Sequence, residues 1–223
     1  MSAPHALVAG ASGGLGSALA MSLAQQGYSL TLVGRDQGRL DALPVDGQRL
    51  VFDLRDPAAC ESVVSAAHDF GGGLDVVVNA VGVVAFGTLT ELSPDVIEEL
   101  FLTNTFVAVW LARAALPLMR SGGVIVNLSG VIAERNLPGM SAYGASKAAV
   151  RALDEGLARE ARRAGVRVLD ARPPHTETGL VDRAIAGTPP KFGPGLDPAV
   201  VAAVIVDAIG SGVTDLPSEA FSQ

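Results

Sequence analysis

Tyr143 and Lys147 stand four residues apart in Tyr143-Gly-Ala-Ser-Lys147. On a helix they share a face. A phenol with its ordinary pKa near 10 exchanges no proton at neutral pH. An ammonium close by favours the phenolate and brings that exchange within reach. The pair is therefore a candidate for proton transfer, although the same spacing also occurs in plain exposed helix pairs.

A second signal opens the chain. Gly10, Ser12, Gly13, Gly14, Leu15 and Gly16 fall in one short turn, Gly10-Ala-Ser-Gly-Gly14-Leu-Gly16. Glycines let a backbone approach a diphosphate closely, and the helix that follows offers free N–H groups and a positive dipole. A tight structural turn is the plain alternative. Further on, Val33-Gly34-Arg35-Asp36 ends an apolar run. Arg35 at that tip suits a 2′-phosphate through its charge and planar fork. NADP(H) is thus expected over NAD(H). Asp36 could instead take ribose hydroxyls. Asp53-Leu54 falls where an adenine edge would lie, or Asp53 caps a turn. Cys60 and Trp110 read as core or interface residues. No His/Cys/Asp grouping has metal-ligand spacing, so no metal is expected.

These residues need elements to hold them. Ala6–Ala9, Leu30–Val33, Leu50–Phe52, Val76–Val78, Val124–Leu128 and Val166–Ala171 are short, continuous apolar runs. Such strands are covered on both faces, as in a parallel sheet. Helix-length segments lie between them: Leu15–Gln26, Pro57–Asp69, Pro94–Met119 and Ala142–Ala164. Asp56-Pro57, Ser93-Pro94 and Asp197-Pro198 each pair a capping side chain with proline at the first helical position. The alternation implies a doubly wound α/β fold in one domain, residues 1–223, with ligand at the carboxyl ends of the strands. The Pro- and Gly-rich stretch Thr188–Pro198 is a lid or a connector.

Composition narrows the function classes. With 16 Lys+Arg against 23 Asp+Glu the net charge is −7, which repels nucleic-acid backbones. One cysteine suits a reducing compartment. Residues 1–34 hold no apolar run of about 20 residues, and no basic n-region precedes them. No membrane partner is expected, and the expected location is cytoplasmic.

Taken in order, these features resemble the short-chain dehydrogenase/reductase family over nearly the whole length. Gly10, Gly14 and Gly16 match its phosphate turn, with Ala9 where a threonine is usual. Asp53 matches its adenine-contacting acid. Asn79-Ala80-Val-Gly82 resembles its N-N-A-G strand end. Asn104 falls at its helix asparagine, Tyr143 and Lys147 at its Y-x-x-x-K. Pro173-Pro-His-Thr176-Glu-Thr178 resembles the segment after its sixth strand, with Pro174 for glycine and Thr176 for an aliphatic residue. The resemblance implies an NADP(H)-dependent oxidoreductase acting on a small carbonyl or alcohol. Tyr143 would move the proton, Lys147 would hold the ribose, and Asn104 would anchor a water. Asn79, Ala80, Gly82, Pro173, Thr176 and Thr178 would join the cofactor contacts. A substrate cover about Gly179–Leu196 would give a pocket apolar around Leu180, Ile185 and Phe192. Pro94–Met119, apolar nearly all round, and the tyrosine helix would build a homodimer.

One position breaks the pattern. The family's catalytic serine lies thirteen residues before the tyrosine, and 143 − 13 = 130 is Gly130. Ser129 is the neighbour, and successive strand residues face opposite ways. Three outcomes are open. Ser129 swings in, or another polar group, Ser141 or His175, takes its place. In the third, the chain keeps the cofactor but not efficient redox chemistry, acting as a sensor or assembly partner.

Overall fold

The computed structural model describes residues 3–221. Seven parallel strands form one sheet in the order β3-β2-β1-β4-β5-β6-β7. They are β1 (His5–Ala9), β2 (Ser29–Gly34), β3 (Gln48–Val51), β4 (Leu74–Asn79), β5 (Met119–Leu128), β6 (Arg167–Ala171) and β7 (Asp215–Leu216). The helices are α1 (Gly14–Gln25), α2 (Gln37–Asp41), α3 (Pro57–Gly71), α4 (Pro94–Phe101), α5 (Val107–Ala115), α6 (Ser141–Ala161) and α7 (Pro198–Ser211).

Both faces of the sheet are buried, which is why its strands read as unbroken apolar runs. Ala6 and Val8 of β1 point into one core, with Leu19 and Leu23 of α1 and Ile205 of α7. Leu7 and Ala9 point the other way, against Val63 and Val64 of α3 and Leu111 of α5. Alternate residues thus feed two separate layers.

The expected helix starts hold. Asp56 accepts from Ala58 N at 2.9 Å, Ser93 from Val96 N at 3.4 Å and Asp197 from Ala199 N at 2.7 Å. Other expectations change. The helix expected over 94–119 runs continuously from Pro94 to Leu118 but changes winding along its length. A π turn, Leu102–Phe106, separates α4 from α5, Pro117 sits in a 3-10 turn, and Met119 already starts β5. β3 lies earlier than expected because Thr31 of β2 pairs with Gln48. α2 and β7 are additions, each too short to carry a readable period.

The strand order reverses direction between β1 and β4. Their carboxyl ends therefore leave a crevice, the place where ligands enter such sheets.

Candidate active site

At the mouth of β1 the backbone is shaped for close approach. Gly10 has φ +78°, and a Cβ there would lie 2.8 Å from the Ala80 carbonyl carbon. A Cβ on Gly16 would overlap the Gly10 carbonyl oxygen. Gly13 is the N-cap of α1 and brings no side chain to its first-turn N–H groups. Those donors and the helix dipole suit a diphosphate. A Cβ on Gly14 would meet the Thr178 carbonyl oxygen at 2.6 Å, so the loop after β6 crosses directly over this turn.

At the end of β2 a Cβ on Gly34 would sit 2.8 Å from Ser12 Oγ, so a side chain there would need Ser12 to shift. Arg35 is exposed beside it. Arg39, which the sequence reading passed over, donates to the Ser12 carbonyl at 2.6 Å. Only the turn of α2 brings this second cation to the glycine loop. Asp36, entertained above as a ribose ligand, already uses one carboxylate oxygen within the protein. It caps α2, accepting from Arg39 N at 2.9 Å.

Three residues expected among the cofactor contacts have partners or burial within the protein itself. Both oxygens of Asp53 accept from the Arg55 guanidinium, at distances down to 2.5 Å, and Arg55 also bonds Glu99. The Arg55 guanidinium holds the Asp53 carboxyl below its usual range. Asp53 thus caps its turn and is ion-paired, and its side chain remains 43% exposed. Leu54 sends its side chain into the core, leaving only main chain to face outward. Asn79 is 4% exposed, and its amide is consumed internally. Its Nδ2 donates to Asn127 Oδ1 at 3.1 Å and its Oδ1 accepts from Val81 N at 3.2 Å. Ala80 and Gly82 do line the crevice.

Tyr143 and Lys147 project from α6 into the same crevice as the glycine turn, Pro173, Thr176 and Thr178. Lys147 Nζ donates to the Leu128 carbonyl at 2.7 Å. Burial pulls its pKa down to about 8, which the Asp170 charge partly offsets. The expectation of an acidified phenol is not met. Burial pushes Tyr143 up to about 12, so its hydroxyl keeps its proton at neutral pH.

Asn104 lies in the π turn, 1% exposed. Its Oδ1 accepts from Val83 N at 2.8 Å, and its Nδ2 donates to the Val83 carbonyl and to Ser146 Oγ, both at 3.0 Å. The side chain ties the loop after β4 to α6. Both of its amide N–H groups are taken by protein acceptors. Such π turns occur frequently at functional sites.

Ser129 belongs to the crevice lining, but its side chain is fully buried and its hydroxyl donates to Asp170. Gly130 cannot be read as a simple serine replacement either. Its φ +76° and ψ 163° belong to a region essentially reserved for glycine. Ser141 is exposed and lies outside the crevice lining. His175 does line it. The imidazole stacks on Phe192 at 4.9 Å between centroids, and its Nε2 is 3.6 Å from a Glu177 oxygen. Of the expected cover residues, Leu180 and Phe192 line the crevice, whereas Ile185 packs into a neighbouring cluster. Leu196 is pinned to His175 and Glu177 by two backbone hydrogen bonds, so this end of the Pro- and Gly-rich stretch is anchored.

Two buried polar chains under the crevice were missed. Asp154, 3% exposed, accepts from Asn127 Nδ2 at 2.6 Å, and Asn127 in turn holds Asn79. Arg172, 2% exposed, joins Asp170, Glu134 and Asp215. Asp154 recurs seven residues after Lys147, which is a readable helix-face spacing. Arg172 gives no comparable signal, because its partners come from three separate segments.

Comparison with known proteins agrees with this geometry. The sequence model of the short chain dehydrogenase family matches residues 4–188. An uncharacterized oxidoreductase of Staphylococcus aureus (strain N315) is 30% identical over 212 residues, covering 92% of this chain and 90% of the relative. The crystal structure of a short-chain dehydrogenase from Streptomyces avermitilis superposes with TM-score 0.86 at 31% identity, over 99% of this chain and 90% of that one. A short chain dehydrogenase from Burkholderia cenocepacia J2315, in complex with NADP, superposes with TM-score 0.85 at 26% identity. That match covers 97% of this chain and 96% of the other.

Proposed function

The chain belongs to the short chain dehydrogenase family, and we propose that it is an NADP(H)-dependent oxidoreductase exchanging hydride with a carbonyl or alcohol carbon of a small organic substrate. The observation that carries this reading is one crevice lined at once by the glycine turn, Tyr143 and Lys147. The residues fit the dinucleotide: the cradle at Gly10, Gly14 and Gly16 would be filled by any Cβ. Gly10–Gly16 and the α1 N-terminus would hold the diphosphate, and Arg35 with Arg39 the 2′-phosphate. The Burkholderia relative's NADP and the two cations beside the glycine loop, Arg35 and Arg39, support NADP(H) over NAD(H).

When bound, the dinucleotide supplies hydride to the carbonyl carbon. Tyr143 gives its hydroxyl proton to the carbonyl oxygen, so an alcohol forms and one phenolate remains to be reprotonated. Burial suits this direction, because it keeps the phenol charged with its proton until a carbonyl arrives. Lys147, one turn away, stabilises the phenolate that results and can reach the cofactor ribose. Asn104 fixes the loop that carries Gly82 beside the lysine; a Cβ on Gly82 would lie 3.5 Å from Lys147 Nζ.

One observation favours a second reading, a cofactor-binding protein with little redox chemistry: the one serine in the crevice lining, Ser129, is buried and spends its hydroxyl on Asp170. Tyr143→Phe separates the two. Reduction of aldehydes and ketones, followed by loss of NADPH absorbance, should fall about 10²–10⁴-fold, the weight of a general acid. NADPH binding should persist. Tight NADPH binding by the wild type without turnover on any carbonyl compound would select the second reading.

A further inference from the structure

The reductase reading says nothing about what the crevice accepts; this inference rests on that reading. We infer that the substrate is an uncharged, apolar carbonyl compound bearing a flat ring that seats against Phe192, which makes Phe192 the specificity-determining residue of the cover.

Among the described residues no Asp or Glu lines the crevice. The Glu177 carboxylate beside the lining faces His175 Nε2 at 3.6 Å and accepts from Gly195 N, so an ammonium substrate would find no free counter-charge in the lining itself. Its cations are spoken for at the cofactor end. Lys147 donates to the Leu128 carbonyl. Arg183 reaches the Thr178 carbonyl at 3.4 Å, and Thr178 is the residue pressed on Gly14. An anionic substrate group would compete there with the diphosphate. What remains beyond Tyr143 is an apolar wall. Val84, Phe86, Ile132 and Met140 are buried together, with Phe192 packed on them. The Phe192 ring lies 6.0 Å from Phe86 at 52°, and 4.9 Å from His175 at 26°. These separations are those of interacting rings. A polyhydroxylated substrate placed against this wall would lose water from its hydroxyls without gaining partners.

Gly130 adds space where the family carries a serine. Nothing but the Pro173 carbonyl, at 3.8 Å, would touch a Cβ there. The site has thus exchanged a hydroxyl donor for room beside Tyr143. That exchange favours a wide carbonyl flank over a polar one. The two phenylalanines come from distant segments, Phe86 from the loop after β4 and Phe192 from the cover. The aromatic wall therefore exists only once the cover is in place.

The test is NADPH-driven reduction of three ketones of matched carbonyl reactivity: an aryl alkyl ketone, a polyhydroxylated ketone and an amino ketone. The wild type is compared with Phe192→Ala and Phe192→Leu. Calorimetry follows binding of the aryl ketone to the NADP⁺-loaded wild type. We expect kcat/KM for the aryl ketone to exceed the other two by about 100-fold, the scale on which pockets reject mismatched polarity. Phe192→Ala should cut that preference about tenfold, through KM. Phe192→Leu, which keeps an apolar side chain in the cover, should cut it less. Equal or better turnover of the polyhydroxylated or amino ketone overturns the inference and leaves the reductase reading standing. Unchanged preference in both variants removes Phe192 from its role and overturns it too. Aryl ketone that binds the loaded protein but is never reduced, along with the others, overturns the reductase reading, and the inference falls with it. Aryl ketone that neither binds nor reacts overturns the inference.

Discussion

Asp154 is the residue whose chemistry is most at odds with its surroundings. It is 3% exposed, and its Oδ2 has no hydrogen-bond partner. Burial pushes its pKa up to about 8, with the Asp170 charge adding to the rise and the Asn127 bond opposing it. Unfolded, the same carboxyl titrates near its usual 3.8. Between those values the folded protein binds a proton that the unfolded chain releases. Stability therefore falls as pH rises from about 4 to about 8 and changes little from this group outside that window. Asp154→Asn, neutral throughout, should leave stability near pH 4 almost unchanged. At pH 7 it should raise it by about 2 kcal/mol, about 4–8 °C in Tm. Thermal unfolding of both proteins across this range checks the sign. A gain that is the same at every pH would place the effect in packing instead. The spacing of Asp154 from Lys147 was open to view in the chain. Its missing partner was not, because that depends on what β5 and β6 bring against it.

At the scale of the element, the turn that ends β5 decides how the site differs from its relatives. The sequence told us that residue 130 has no hydroxyl. It did not tell that the backbone there has φ +76° and ψ 163°. An L side chain in that region costs about 1–3 kcal/mol. Gly130→Ser should therefore destabilise the protein by about that amount in chemical denaturation. Because the backbone no longer follows a strand there, the new hydroxyl should bring less than tenfold gain in kcat/KM. A large gain without loss of stability would show that the turn relaxes to accept the serine. The long helix expected over 94–119 illustrates the same limit. Its apolar run was real, but Asn104 spends its amide on Val83 and Ser146, and the ladder opens into a π turn around it. Helix ends fared better, since Asp56, Ser93 and Asp197 act on neighbours two or three residues away.

At the scale of the whole molecule, several large apolar side chains stay exposed, among them one member of a stacked aromatic pair. Phe106 is 47% exposed and stacks on Trp110 with centroids 5.7 Å apart. We propose that this face, with α6 beside it, joins two copies of the chain, in keeping with the family resemblance. Size-exclusion chromatography with light scattering should give twice the chain mass, and Phe106→Asp should shift the protein toward one. A wild type of single-chain mass would end the proposal. The opposite edge of the molecule is closed internally. Arg172 gathers Asp170, Glu134 and Asp215, and Ser218 bonds Glu134, so the last strand is locked to the floor of the crevice.

By itself, the chain's order of residues determined the doubly wound sheet, the glycine turn, the Tyr143–Lys147 pair and the caps. All of these rest on spacings within a few residues or on apolar runs that any parallel sheet must bury. Tertiary structure alone decided where Ser129 points, that Asp53 and Asn79 are already partnered, and that Arg39 reaches Ser12. It also decided that Phe86 and Phe192 meet. Each of these depends on segments brought together across the sheet. The direction and partner of a side chain are set by what lies opposite it in space, and local spacing carries no record of that.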